Sequence, residues 1–347
     1  MDNNYYYYAP PGAQNNNNSY AGVDMYYYQL KAKQERKEIR KAGNIMGLCV
    51  LAYVFVQLAA SFILTSNSAI YDKYLSSSIF QNSYGIIFVE FFAVLLPFGI
   101  MALVNRKKYT TPIIPSKPIK FSQLCLWVGF GMLCCVGADY IVGIMTALAE
   151  TFGYELTQGE TLDPDSPFAC LIAVIATAVV PAVCEELAMR CCALGYIQKY
   201  GKAFGVVAVS IVFGLLHGNL IQFVFATIVG LILGYVTMKT GSIIPAVLIH
   251  GFNNGMSAMS TVFVYMYGED ASNITTYVFF GLWFVLGLIS LVILTIKKQL
   301  NLSFGDESHE PFANKTSKKL GAFLTSPVLI ISSLYLIVSV IASITKM

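Results

Sequence analysis

Residues 168–190 read "FACLIAVIATAVVPAVCEELAMR", an apolar run that ends in two glutamates and an arginine. About 20 apolar residues are enough for a helix to cross the hydrocarbon core of a membrane. The chain has nine apolar stretches that are this long or nearly so: 45–64, 84–104, 124–148, 168–198, 203–218, 220–238, 243–265, 276–296 and 326–345. The sequence therefore predicts an all-α fold, a polytopic transmembrane bundle of about eight to nine helices with a polar site inside the membrane.

The composition supports this assignment. The 347 residues are 56% hydrophobic and 12% charged, with a mean hydropathy of +0.63, whereas charged residues make up about 25% of an average soluble domain. Backbone groups inside lipid must be paired within the segment, and the stretches are too long and too continuously apolar for the strands of a barrel. Helices are therefore expected throughout.

Charges at the connections predict the orientation. Residues 31–41 contain six Lys and Arg and residues 105–120 contain five, whereas residues 149–167 contain five acids and no Lys or Arg. By the positive-inside rule the first two segments are cytoplasmic and the third is external. The N-terminus is then cytoplasmic, and nine crossings place the C-terminus outside. The net charge of +3 reflects this pattern and does not indicate a nucleic-acid partner.

Two polar segments flank the predicted bundle. Residues 1–43 are Asn- and Tyr-rich at the start and lack apolar periodicity, so we expect a disordered cytoplasmic tail. Residues 302–322 are expected to be a polar cytoplasmic connection for the same reason. A single transmembrane domain is predicted over residues 44–347.

The charges at the end of the opening stretch need an explanation, because an ionisable residue at the centre of a membrane helix costs about 3 kcal/mol. Glu186 and Arg190 are spaced i, i+4, so they share one helix face and are predicted to form a supporting ion pair. Glu185 points about 100° away around the helix and has no partner in its own segment. It is therefore the charge that calls for a functional role.

Few side chains are available as partners for Glu185. Two of the three histidines lie in apolar segments: His217 ends "FGLLH", and His250 begins "HGFNN", which places Asn254 four residues later on the same face. At 1.5 Å per residue, each of these four residues lies about 16 to 22 Å along its helix from a lysine of a predicted cytoplasmic connection. The sequence thus predicts that they converge at one depth of the membrane.

The residues allow two mechanisms. In one, Glu185 and His217 hold and deprotonate a water that attacks a peptide carbonyl, while His250 and Asn254 stabilise the oxyanion. In the other, Glu185, His217 and His250 bind Zn²⁺, which lowers the pKa of its bound water to about 7. The spacing is not HExxH, and the residues alone leave both mechanisms open.

Three patterns occur in order on three apolar segments: EExxxR as "EELAMR", FxxxH as "FGLLH" and HxxxN as "HGFNN". Together they resemble the CAAX prenyl endopeptidase and bacteriocin-processing family of intramembrane proteases (CPBP or Abi family), over a motif core of residues 165–260. The resemblance implies that Glu185 with His217 activates the water and that His250 with Asn254 stabilises the oxyanion. Glu186 and Arg190 match supporting positions.

The resemblance also implies surroundings and substrates. It implies a cavity open to one side and to lipid, in a bacterial cell membrane, and a membrane-associated or lipidated peptide or protein substrate, with bacteriocin processing or immunity as a known context. We predict no cofactor, although the family has been described both with and without a metal, so Zn²⁺ held by Glu185, His217 and His250 is the alternative. The helices outside residues 165–260 are expected to be a generic bundle.

A rival interpretation from another class is an ion- or proton-coupled transporter or a non-catalytic scaffold. A transporter is expected to carry an inverted repeat, and the sequence shows no second copy of the polar constellation. We therefore prefer the protease.

Other residue types receive packing roles. All eight cysteines fall in or beside apolar segments without a CxxC spacing, so they are expected to be inert, with Cys184 or Cys191 as the alternative catalytic thiol. The small residues Gly214, Gly218, Gly251 and Gly255 are expected to let the site helices approach closely.

Overall fold

The computed structural model describes residues 18–158, 162–301 and 314–347. These residues form eleven helices: α1 Asn18–Thr65, α2 Ser68–Ser76, α3 Ser78–Val104, α4 Phe121–Thr151, α5 Pro167–Tyr200, α6 Lys202–Leu216, α7 Leu220–Thr240, α8 Ile244–Tyr267, α9 Glu269–Ile296, α10 Thr316–Leu324 and α11 Pro327–Ala342. Two short strands, β1 Tyr154–Leu156 and β2 Ile344–Lys346, make up the sheet, and Arg106–Lys108 form a 3₁₀ turn.

Each of the nine apolar stretches is helical over most of its length, which confirms the all-α prediction. By length and composition, six of the described helices are able to cross a membrane, or seven if α10 and α11, bent by 76°, count as one span. This is fewer than the nine predicted crossings. The 15 residues of α6 extend only about 22 Å, less than a hydrocarbon core of about 30 Å, and α8 carries the polar residues of the site.

Helix α1 begins well before the predicted end of the tail. The sequence predicts disorder up to residue 43, but the chain is helical from Asn18, and residues 1–17 lie outside the described residues. The basic stretch of residues 31–41 is rich in good helix formers. It is also fixed by long-range contacts, since Lys319 Nζ lies 3.0 Å from a Glu35 carboxylate oxygen.

The segment predicted to be a polar connection also contains a helix. Residues 302–313 lie outside the described residues, but α10 begins at Thr316. Asn314, just before it, accepts a hydrogen bond from Arg36 at 2.7 Å, which ties this segment to α1. Tertiary contacts of this kind override a polar local composition.

The predicted cytoplasmic connections meet at one end of the bundle. Lys199 Nζ donates to the backbone oxygen of Lys108 at 3.2 Å, and the Lys117 N–H donates to the Gly241 oxygen at 3.0 Å. The connections after α3, α5 and α7 are thus joined to one another. Their basic residues lie on the same side of the bundle.

The opposite end holds the chain's C-terminus. Strands β1 and β2 pair in antiparallel register, and the Thr157 N–H donates to the Ser343 oxygen at 2.9 Å. The C-terminus therefore lies beside the acidic segment of residues 149–167. The two parts of the chain that are predicted to be external share one end of the bundle.

Small residues bring the site helices together at some positions and not at others. A methyl group on Gly214 would overlap Thr227, so α6 and α7 pack closely there. Gly251 of α8 faces Ala182 of α5 across an ordinary van der Waals contact of 3.5 Å. The prediction is wrong for Gly255, where a methyl group would meet no atom of a neighbouring helix within 4 Å, because this residue faces away from those helices.

Candidate active site

The structure places Glu185, His217, His250 and Asn254 around one cavity with a volume of about 510 Å³. Side chains from α4 to α9 line it, and it extends to Gln158 beside β1. Its size is typical of sites that enclose a small ligand or part of a peptide. The catalytic roles of the four residues stay predictions, whereas their shared location is an observation.

Glu185 lies in α5 between two π-helical stretches, Ile175–Val179 and Leu187–Leu194. Such stretches often occur at functional sites. Its side chain is 13% exposed, and its Oε2 atom has no hydrogen-bond partner among the described residues. A buried carboxylate oxygen without a protein partner is suited to holding a water molecule.

Glu186 and Arg190 form the ion pair that their spacing predicts. Arg190 Nε donates to Glu186 Oε2 at 2.9 Å, and both side chains are fully buried. The guanidinium also lies 5.4 Å from the ring centroid of Phe213 on α6. The Glu186–Arg190 pair thus connects α5 to α6, the helix that His217 directly follows.

His250 has a partner that the sequence did not indicate. Its Nδ1 atom lies 3.0 Å from Glu186 Oε1, and its Nε2 atom lies 3.6 Å from Glu185 Oε2. A carboxylate only accepts hydrogen bonds, so Nδ1 carries a proton. Glu186 therefore orients the ring so that Nε2 faces Glu185 and the cavity.

His217 directly follows α6, and its ring is also oriented by a backbone contact. The Nδ1 atom lies 3.0 Å from the Phe213 carbonyl oxygen, which only accepts, so Nδ1 donates and Nε2 is left as the acceptor of a neutral ring. The Tyr53 hydroxyl donates to the Leu216 oxygen at 2.6 Å and fixes the end of α6. Gly218, at a φ of +67°, makes the turn that follows.

Asn254 lies one helical turn beyond His250. Its Nδ2 atom donates to the Thr177 oxygen at 3.1 Å, and its Oδ1 atom accepts from Asn253 at 3.3 Å. Thr177 belongs to the first π-helical stretch of α5. An amide nitrogen has two N–H donors, so the contacts seen among the described residues leave one for a ligand.

The sequence analysis assigns no role to two acidic residues that lie near the site. Glu90 of α3 is 8% exposed and lines a second cavity of about 210 Å³ together with Glu185 and His217. Asp139 of α4 lines the larger cavity. Each is an ionisable residue in an apolar helix, the signal that singled out Glu185. The helices outside residues 165–260 are therefore not a generic bundle.

The alternative of a zinc ion held by Glu185, His217 and His250 stays a prediction. Among the described residues, no three His, Cys, Asp or Glu side chains are grouped closely enough to hold a metal ion. Glu185, His217 and His250 share a cavity but not such a geometry, so we derive no step through a metal. Cys184 and Cys191 are not among the residues that line either cavity.

Comparison with known proteins gives a family match over the same part of the chain. Residues 167–256 match the model of the type II CAAX prenyl endopeptidase Rce1-like family, and this range contains all seven fixed residues of the three motifs. Searches of curated proteins and of solved structures find no match. The match confirms the resemblance that the motifs indicate: the motif-bearing part of this membrane protein is similar to the type II CAAX prenyl endopeptidase Rce1-like family.

Proposed function

We propose that the protein is an intramembrane endopeptidase that hydrolyses peptide bonds of membrane-associated substrates with a water activated by Glu185. The observation that carries the proposal is the position of Glu185. Its Oε2 atom is buried, has no hydrogen-bond partner among the described residues, and faces a cavity that His217 and His250 also line. The family match supports protease activity but leaves the mechanism and the substrate open.

The first step uses Glu185 and His217. Glu185 and His217 line the larger and the smaller cavity, so a water molecule between them is within reach of the two side chains. His217 Nε2 accepts a hydrogen bond from this water, and Glu185 takes a proton from it as the water oxygen attacks the peptide carbonyl carbon. The π bond of the carbonyl opens, and its electron pair moves to the oxygen.

The second part of the site faces this oxygen. One N–H of Asn254 and the Nε2 of His250 are the donors available to stabilise the negative charge. Donation by His250 requires that both ring nitrogens carry a proton, and Glu186 then balances the positive charge through Nδ1. The arrangement resembles the way in which a carboxylate orients the histidine of a hydrolase triad.

The last step returns the proton. The carbonyl re-forms as the carbon–nitrogen bond breaks, and Glu185 passes its proton to the leaving amine. The products are one chain with a new carboxyl terminus and one with a new amino terminus. Glu185 is again a carboxylate, so the cycle consumes only water.

The cavity supports a substrate that is an extended segment of a membrane-associated chain. Apolar walls such as Ile221 and Phe225 suit aliphatic or lipid-modified side chains, and polar groups such as Asn253 and Ser257 suit backbone hydrogen bonds. We propose membrane-associated or lipidated peptides as the substrate class, in a bacterial membrane where bacteriocin processing or immunity is the biological context.

A reconstituted peptidase assay tests the proposal. Purified protein in liposomes is given quenched fluorescent peptides, one with a C-terminal lipidated CaaX sequence and one that is apolar and unmodified. We expect cleavage of at least one of them, and no cleavage by Glu185→Gln or Glu185→Ala. The matched control is Glu150→Gln, because Glu150 is exposed at the end of α4. Full activity of Glu185→Gln would refute the mechanism, and proton uptake without cleavage would favour the transporter.

A further inference from the structure

Glu90 is a buried acid that the proposed mechanism does not use. It lies in the π-helical stretch Gly85–Leu95 of α3, is 8% exposed, and its Oε2 atom has no hydrogen-bond partner among the described residues. A carboxyl group in an otherwise apolar membrane helix is costly and normally marks a functional position. No structural pairing among the described residues accounts for it.

Glu90 and Glu185 line the same small cavity. Tyr53 from α1, Gln222 from α7 and His217 after α6 complete its polar lining. Glu185 and His217 also line the larger cavity, so the two cavities meet at these side chains, whereas Asn254 lines only the larger one. Its volume of about 210 Å³ is enough for several waters, each of which occupies about 30 Å³ in the liquid.

The surroundings of Glu90 do not favour the ionised form of Glu90 and Glu185 at the same time. Among the described residues that line the smaller cavity there is no Lys or Arg, and Arg190 is engaged with Glu186. The other titratable groups that line the smaller cavity are engaged elsewhere: the Tyr53 hydroxyl donates to Leu216, and the His217 Nδ1 donates to Phe213. His250 lies outside this cavity, with its Nε2 atom 3.6 Å from Glu185 Oε2. Two acids that share such a site do not both ionise.

We propose that Glu90 is a positioning residue for Glu185: the two carboxyl groups share one proton through water in the smaller cavity, and the protonated Glu90 holds the water that Glu185 activates. The inference rests on the proposed function. During the cycle Glu185 accepts and returns the proton of the attacking water, while Glu90 keeps the shared proton and donates a hydrogen bond. No atom beyond the water is consumed.

Infrared spectroscopy tests the shared proton without any substrate. A protonated carboxyl group gives a carbonyl band that shifts in D₂O, and difference spectra against wild type isolate the contribution of one residue. We expect this band to disappear near neutral pH in Glu90→Gln, because Glu185 then ionises beside His250. In Glu185→Gln the buried Glu90 stays protonated, but the pH at which it ionises should fall by about one unit or more, because the neighbouring acid is gone. Glu150→Gln should leave the band unchanged.

The outcomes distinguish two carboxyl groups that share a proton from two groups that ionise independently. An ionisation pH of Glu90 that is the same in Glu185→Gln as in wild type would show that Glu90 is protonated on its own, and the pair would be refuted. A band that is unchanged in Glu90→Gln would refute the protonated state of Glu90. Both results hold whether or not the protein cleaves a peptide, so failure of this inference is distinct from failure of the protease proposal.

Activity variants test the positioning role. Glu90→Met removes the donor and should lower kcat/KM by about threefold to tenfold, the loss expected for one neutral hydrogen bond. Glu90→Gln keeps an N–H donor and should retain more activity than Glu90→Met, and Glu90→Asp should rescue further. Equal activity of the Met variant and wild type would refute the role, and thermal unfolding of each variant in detergent shows whether the fold is intact.

Discussion

Nδ1 of His250 lies 3.0 Å from Oε1 of Glu186, and the other oxygen of the same carboxylate accepts a hydrogen bond from Arg190 at 2.9 Å. One carboxylate therefore connects a buried cation on α5 with a site histidine on α8. The spacing of Glu186 and Arg190 indicates a local ion pair, but the structure gives this pair a second contact. Glu186 determines how His250 faces Glu185.

Arg190→Ala should reduce the amount of folded protein. The substitution removes one partner of a fully buried pair and leaves Glu186 without its strongest counter-charge, which typically costs about 3–5 kcal/mol. Accumulation in membranes and thermal unfolding in detergent measure the effect. Wild-type accumulation together with a purely catalytic defect would show that Arg190 has no supporting role.

The double variant Glu186→Gln with Arg190→Met separates stability from orientation. Removing both charges avoids an unpaired buried ion, and such replacements are often neutral for stability. We expect accumulation close to wild type but low peptidase activity, because a neutral amide no longer balances a protonated His250. High activity in the double variant would contradict the role of Glu186 toward His250.

The sequence predicts much of the site because polar residues are conspicuous in apolar helices. Glu185, His217, His250 and Asn254 stand out by this signal, and counting residues from the basic connections gives them a similar depth, which agrees with their common cavity. Glu90 carries the same signal but lies outside the three motifs. The motifs alone therefore do not indicate Glu90.

Contacts between helices are harder to predict. The distance between His250 and Glu186 depends on how α5 and α8 are rotated about their axes, and spacing within one helix does not determine that rotation. The same limit applies to α10, whose polar sequence suggests a loop. The contacts of Asn314 and Lys319 with α1 involve residues about 280 positions away in the chain.

Asn254→Ala should lower kcat by roughly 10² to 10³, the loss typical of one oxyanion donor, with little change in KM. The structure gives the amide a fixed orientation through Thr177, so the remaining N–H is preorganised. Asn273→Ala is the comparison variant, because Asn273 is exposed on α9 and is not among the residues that line either cavity. An Asn254→Ala enzyme as active as Asn273→Ala would exclude an oxyanion role.

The C-terminus should lie outside the cytoplasm. Strand β2 pairs with β1 in the acidic segment, which the charge pattern predicts to be external. An alkaline phosphatase fused after Met347, which is active only outside the cytoplasm, should therefore be active. A fusion after Lys120, in the basic segment, should be inactive. The reverse pattern of activities would invert the predicted orientation of the whole bundle.

Peptidase activity should persist in the presence of a chelator. A zinc mechanism needs Glu185, His217 and His250 as ligands, with both histidine nitrogens about 2.0–2.1 Å from the metal. In the structure His250 is oriented by Glu186, and the three side chains are not grouped as a metal site among the described residues. A metal on the Nε2 of His250 would also prevent this atom from donating to the oxyanion, so the two mechanisms assign it incompatible roles.

Atomic absorption and a chelator titration decide between the two mechanisms. We expect purified protein to contain far less than one zinc ion per chain and the chelator to leave kcat/KM unchanged. His250→Gln keeps a hydrogen-bond donor at this position and should retain some activity under the metal-free mechanism. Activity that disappears with chelator and returns with one equivalent of Zn²⁺ would establish the zinc mechanism. The family assignment would stand, because it depends on the three motifs and not on how the water is activated.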